Sequence, residues 1–239
     1  MLSKKLITSR GNTHHLTSND PVVIDWFNRP SETHTDIIVD QINAKMYDRF
    51  LNGRQDLVII DVGANIGLWS IYAQDSCKKL VAVEPAPHNV YIFEQIVQGM
   101  DNISIDMSAL SNADGSIKMN IHTSPTCNSI IYQTDTDLAI DVETKTIETL
   151  LNSNGLEYVD FIKCDIEGAE SLAFSDETLD PVKNQIGSWL IETHQTDTHT
   201  GMSWPGNLEI NRQSIMSVLR NAGYNTEAVI HDQIYAWKN

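Results

Sequence analysis

The feature that most constrains the fold is a pair of short apolar runs, Leu57-Val58-Ile59-Ile60 and Leu80-Val81-Ala82-Val83, separated by one helix-length segment. A continuous apolar run of strand length suits a strand covered on both faces, as in a parallel sheet. Two parallel neighbours need a crossover of a dozen or more residues, and Ile66, Trp69, Tyr72 and Ala73 fall at helical spacing within the gap. The segment therefore reads as strand, helix, strand, and the chain as α/β.

The alternation continues downstream. Pro87 stands at a first helical position, Val90, Phe93, Ile96, Val97 and Met100 carry the apolar stripe, and Ile103–Met107 reads as a third strand. Asp114-Gly115 before Ile117–Ile121 predicts a turn into an antiparallel strand, so residues 111–145 are expected to form a β insertion whose polar stretch 123–137 is a surface loop. A helix around Ile147–Leu151, a strand Val159–Cys164, a helix near 168–174 and a strand Ile186–Ile191 follow. The last helix carries Ile215, Val218, Leu219 and Ala222 and stops at Gly223, after which strands around 226–230 and 233–237 form a hairpin at an antiparallel edge.

Residues 1–54 read as an N-terminal extension to a domain spanning 55–239. Gly11, Pro21 and Pro30 break a polar stretch, which predicts an irregular lead-in with one apolar patch at Val22–Phe27. Ile38, Ile42, Met46 and Phe50 recur every four residues and predict a helix packing on the core, ended by Asn52-Gly53.

Charge narrows the partners. The net charge is −16, and residues 57–239 hold 9 Lys/Arg against 25 Asp/Glu, whereas residues 1–56 are balanced at 7 against 7. Such a surface repels phosphate backbones and anionic membranes, which argues against a nucleic-acid partner. Cys77, Cys127 and Cys164 show neither zinc-site nor disulfide-framework spacing, and a reducing compartment is expected. No apolar run reaches the roughly 18 residues of a membrane span, so a cytoplasmic protein without membrane attachment is expected.

Between the first core strand and its helix lies Asp61-Val62-Gly63-Ala64-Asn65-Ile66-Gly67, where an α/β sheet brings a cofactor to the carboxyl ends of its strands. Gly63 and Gly67 allow close backbone approach, N–H groups at the helix start can donate to ligand oxygens, and Asp61 can hold a cationic amino group. Glu84 ends the second strand, where an acid can accept from both hydroxyls of a ribose. The glycine spacing is Gly63-x-x-x-Gly67, with Asn65 where a dinucleotide fingerprint needs a second glycine for the pyrophosphate. A nucleoside cofactor lacking pyrophosphate and carrying an amino-acid-like group fits this better. A nicotinamide-dependent oxidoreductase and a non-catalytic nucleoside-binding module are the alternatives.

The later strand ends are acidic. Asp165 follows the fourth parallel strand, and Glu167 and Glu170 are expected to favour the N-terminus of the next helix. Glu192-Thr193-His194 ends the fifth, and a histidine beside a carboxylate can take a proton from a hydroxyl. His194, Asp165 and Glu192 are therefore the candidate catalytic residues. The same three are of the type that ligates a divalent cation, which is possible here, but no metal site is assigned.

Asp61–Gly67, Val83-Glu84-Pro85, Ala109-Leu110-Ser111 with Asp114-Gly115, Phe161–Glu170 and Ile191-Glu192-Thr193-His194, in this order, resemble the FkbM family of class I methyltransferases over roughly residues 55–225. The resemblance implies a Rossmann-like, seven-stranded, mostly parallel sheet with helices on both faces. It implies S-adenosyl-L-methionine held by Asp61, Gly63, Asn65, Gly67 and Glu84, with adenine near Met107 and Ser108. It also implies methyl transfer, usually to the oxygen of a hydroxyl on a small molecule or sugar.

Overall fold

The computed structural model describes residues 2–28, 47–51, 53–122, 127–131, 136, 138–194, 208–229 and 232–238. Its strands include a seven-stranded sheet and a three-stranded sheet. The chain divides into two compact units, Met1–Asp106 and Met107–Asn239.

In the first unit, β1 (Leu2–Ile7) and β2 (Thr13–Ser18) form an antiparallel hairpin, followed by helix α1 (Pro21–Asn28). The polar lead-in expected to be irregular is thus paired. Over residues 3–7 and 13–18 these strands bury little beyond Leu6 and Leu16, so the apolar alternation that signals a strand is missing there. The hairpin is fastened by its turn: Ser9 N–H donates to the Tyr72 carbonyl at 2.8 Å, and the Thr8 hydroxyl reaches Asp75 at 2.5 Å. The helix expected over Ile38–Phe50 lies largely outside the described residues, which hold a short helix, α2 (Asp48–Leu51).

The central part of this unit follows the alternation of the sequence: β3 (Leu57–Val62), α3 (Leu68–Ala73), β4 (Cys77–Val83), α4 (Pro87–Ile96) and β5 (Ile103–Asp106). β3 pairs in parallel with β4, and β4 with β5. Ile59, Ile60, Leu80, Val81, Ala82 and Phe93 are fully buried, at about 1.5–3 kcal/mol for each of the larger side chains. Burial on both faces of β3 and β4 explains why they read as unbroken apolar runs.

The second unit opens with β6 (Ser108–Leu110), β7 (Gly115–Asn120) and β8 (Ala139–Lys145); of these, β7 and β8 fall within residues 111–145, where a β insertion was expected, and β6 precedes it. β7 runs antiparallel to β8, in register from Gly115 opposite Thr144 to Asn120 opposite Ala139. Then come α5 (Ile147–Ser153), β9 (Phe161–Cys164), α6 (Glu170–Ala173), α7 (Asp176–Leu179), β10 (Ser188–Glu192) and α8 (Leu208–Asn221). β11 (Asn225–Ala228) and β12 (Gln233–Trp237) close the chain. β9 and β10 are parallel, whereas β12 runs antiparallel to both β10 and β11, giving the expected antiparallel edge hairpin.

Candidate active site

In the first unit, Asp61, Gly63, Asn65, Gly67 and Glu84 are gathered at the carboxyl ends of β3 and β4. The loop between β3 and α3 is wound left-handed at three positions, Gly63 (φ 75°), Asn65 (φ 53°) and Gly67 (φ 82°). Glycine removes the steric cost at two of them, and asparagine is among the residues that tolerate the third. A Cβ on Gly67 would sit 2.1 Å from the Phe93 ring, so this glycine is required by packing as well as by φ.

The loop's amides are already engaged. Gly63 and Ala64 N–H both donate to the Val83 carbonyl (2.9 and 3.0 Å), and Gly67 N–H donates to the Ala64 carbonyl (2.8 Å). Asn65 N–H donates to Glu84 Oε2 (2.9 Å), and Ile66 N–H to Asn65 Oδ1 (2.8 Å). The donors expected to face a ligand across residues 63–67 are therefore spent inside the chain, and a pyrophosphate would find no row of amides there.

Two buried carboxylates flank this loop. Asp61 is 0% exposed and accepts from the Ser70 hydroxyl at 2.6 Å. Glu84 is 6% exposed and accepts from Asn65 N–H, from Ala86 N–H (2.9 Å) and from Asn89 Nδ2 (3.1 Å). Burial pushes the Glu84 carboxyl above its ordinary range and the nearby Asp61 charge adds to this, while the three hydrogen bonds oppose it. A carboxylate has about four acceptor positions, so Glu84 retains room for about one further donor. Two buried acids beside a loop that admits close approach suit a ligand with a cationic group and a ribose hydroxyl, and the residues fit S-adenosylmethionine on those grounds.

In the second unit, Met107 is exposed (49%) and Ser108 is buried at the start of β6. Asp165 and His194 are brought together at the ends of β9 and β10. His194 Nδ1 lies 3.0 Å from Glu170 Oε1, and its Nε2 stands 3.7 Å from both Asp165 Oδ1 and Glu167 Oε2. Lys163 pairs with Asp165 at 3.2 Å.

The histidine thus takes Glu170, rather than the sequence-adjacent Glu192, as its hydrogen-bonded carboxylate. β10 ends at Glu192, and Thr193 is anchored to the Asp232 carbonyl through its N–H (3.0 Å) and hydroxyl (2.5 Å). The Glu192 carboxylate meets the Gln233 amide at 3.4 Å. Its link to the cluster is electrostatic: the Asp165 charge, then burial, raise the Glu192 carboxyl to about 7. Burial, with Asp165, Cys127 and Glu170 adding and His194 opposing, raises Glu167 to about 8. Burial works to lower the His194 pKa, but Glu170, Glu167 and Asp165 outweigh it and hold the imidazole well above 6.5.

Asp165, Glu170 and His194 offer ligand atoms within 4.8 Å of one another, a donor set suited to a cation. Both Glu170 oxygens are already occupied, however: Oε1 by Ile166 N–H (2.9 Å) and His194, Oε2 by Gly168 N–H (3.0 Å). Sequence reasoning placed Glu170 and Glu167 at a helix terminus and missed their convergence on the imidazole. The available signal was three carboxylates within the six residues after β9, together with a histidine just past the end of the neighbouring strand.

A family model described as the methyltransferase FkbM domain matches residues 61–226. A comparison with curated proteins gives no match. Among solved structures, a chain of a fibrillarin/Nop5p complex is similar, at 13% identity and a TM-score of 0.52, over 84% of this chain and 81% of that one. A SAM-dependent methyltransferase from Aquifex aeolicus gives 15% identity and a TM-score of 0.49, over 92% of this chain and 98% of that one. The precorrin-6y C5,15-methyltransferase of Geobacter metallireducens gives 15% and 0.48, over 83% and 88%. At these identities the likeness is one of fold. The family match spans well over half the chain, and with the strand-end loop and acids that it covers, the chain belongs to the FkbM family of S-adenosylmethionine-dependent methyltransferases.

Proposed function

We propose that the chain methylates a hydroxyl oxygen of an uncharged small molecule or glycan, with the neutral, deprotonated form of His194 as proton acceptor. The observation that carries this reading is the His194 imidazole, held through Nδ1 by Glu170 while Nε2 faces Asp165 and Glu167. Bound S-adenosylmethionine supplies an electrophilic sulfonium methyl group. Asp61 and Glu84 would hold the donor by its ammonium group and a ribose hydroxyl, and Met107 and Ser108 would serve its adenine. Asp165 would orient the acceptor hydroxyl, Glu192 would tune the charge around it, and His194 Nε2 would take the hydroxyl proton released when the methyl group is transferred. Four carboxylates crowd this end of the sheet, which with a net charge of −16 argues against phosphate-bearing acceptors and nucleic acid.

Incubating the protein with S-adenosylmethionine and hydroxyl-bearing metabolite fractions, and following a gain of one methyl mass, tests the reaction. His194→Gln is expected to bind S-adenosylhomocysteine as the parent does and to lose about 10²–10⁴-fold in turnover. Full turnover in that variant overturns the proton-acceptor role, and transfer to carbon or nitrogen overturns the hydroxyl.

A further inference from the structure

We propose that Glu170 is a positioning residue for His194: its buried carboxylate holds the ring by Nδ1, so that Nε2 is the nitrogen presented to the acceptor. The inference rests on reading His194 as the proton acceptor and adds what sets its orientation and basicity.

Glu170 is 0% exposed, and a carboxylate in such a place is costly unless hydrogen-bonded on all sides. Its two backbone donors, Ile166 and Gly168, come from the turn after β9, where Glu167 and Gly168 take φ of 52° and 99°. A glutamate in the left-handed region is strained, and such strain persists only where surrounding contacts hold it. The turn is secured from outside by the Ser129 hydroxyl, which donates to the Glu167 carbonyl at 2.7 Å. With its orientation fixed by two amides, the Glu170 carboxylate directs its remaining bond at His194 Nδ1. The histidine is held from behind as well, because its carbonyl accepts from Asn211 Nδ2 on α8 at 2.6 Å.

The ring is thereby tied at Nδ1 and at its backbone, while the carboxylates nearest Nε2 stand at 3.7 Å, beyond hydrogen-bond length. A carboxylate on Nδ1 fixes the tautomer whose Nε2 lone pair faces outward and raises its basicity. Among the described residues, the titratable groups around the ring are Asp165, Glu167 and Glu170, with Lys163 paired to Asp165, Glu192 coupled to both Asp165 and His194, and Cys127 facing Glu167. A residue that merely capped the turn would leave the tautomer and titration of His194 unaffected.

Long-range ¹H–¹⁵N correlation spectra of the imidazole rings in the full chain with S-adenosylhomocysteine test this, with the His194 signals assigned by their loss in His194→Gln. Nδ1 is expected to stay protonated throughout the titration, with Nε2 alone losing its proton. Glu170→Gln keeps an acceptor oxygen for Nδ1 but removes the charge, and should lower the Nε2 midpoint by about one unit or more. A neutral ring protonated on Nε2, or identical midpoints in parent and variant, overturns the proposal. If Glu170→Gln does not fold, the parent's tautomer alone decides it. Full turnover in His194→Gln would fell the proton-acceptor reading and leave this spectroscopic result standing.

Discussion

The carboxylate of Glu84 reaches the backbone amide of Asn65, 19 positions earlier in the chain, at 2.9 Å. One acid at the end of β4 thus shapes the loop that ends β3 and borders the proposed donor site. In Glu84→Gln the side-chain NH₂ must confront one of the N–H groups that the carboxylate accepted. Folding stability is expected to drop by about 2 kcal/mol, and affinity for S-adenosylhomocysteine by about 10- to 100-fold. Calorimetric titration of the folded variant checks this, and unchanged affinity would remove Glu84 from the donor site.

Gly67 carries a second prediction. Gly67→Ala places a Cβ 2.1 Å from the Phe93 ring at a φ of 82°. Overpacking and the left-handed backbone together are expected to cost about 3 kcal/mol in urea unfolding. Adding Phe93→Leu should restore the packing part alone, and full recovery in the double variant would show that the backbone tolerates a side chain.

Stability should fall as pH rises through neutrality. Glu167 is raised to about 8, Glu192 to about 7 and His194 well above 6.5, so each keeps its proton to higher pH in the folded chain than in the unfolded one. The folded state therefore binds more protons across this window. The stabilisation is fully present below the unfolded pKa values and is lost as pH climbs through the folded ones. The drop between pH 6 and pH 9 is expected to be about 2 kcal/mol, read by thermal unfolding, and smaller in Glu167→Gln. A melting temperature that is flat or rises over this range contradicts the assignment.

Ser129 ties the insertion to the strand-end turn. Its hydroxyl donates to the Glu167 carbonyl and accepts from Ile131 N–H at 3.1 Å, and it is 2% exposed. Ser129→Ala should cost about 1–2 kcal/mol and speed limited proteolysis within residues 120–138. Unchanged cleavage would show that the loop is held by other contacts.

What the sequence revealed followed from how completely each element is buried. β3 and β4 are covered on both faces and read as unbroken apolar runs, and Pro87 marked the start of α4 to the residue. The hairpin β1–β2 was invisible because, over residues 3–7 and 13–18, only Leu6 and Leu16 are deeply buried, its register resting on backbone pairing and polar ties such as Thr8 to Asp75. At the proposed donor site, spacing and strand-end position brought Asp61, Gly63, Asn65, Gly67 and Glu84 together, since neighbouring parallel strands fix where their ends lie. The acidic half was harder. Local sequence paired His194 with Glu192, whereas the partner, Glu170, is 24 residues away and is delivered by a left-handed turn at Glu167 that no periodicity announces.

The engaged amides of residues 63–67 bear on how a donor is bound at all. A loop whose N–H groups are already bonded is ordered before any ligand arrives, so association does not bear the entropic cost of arranging it. Amide hydrogen exchange at Gly63, Ala64, Asn65, Ile66 and Gly67 should accordingly be slow in the free protein and change little when S-adenosylhomocysteine is added. Protection gained on binding would then appear at other positions, and where it falls would map the parts of the chain that close around the cofactor.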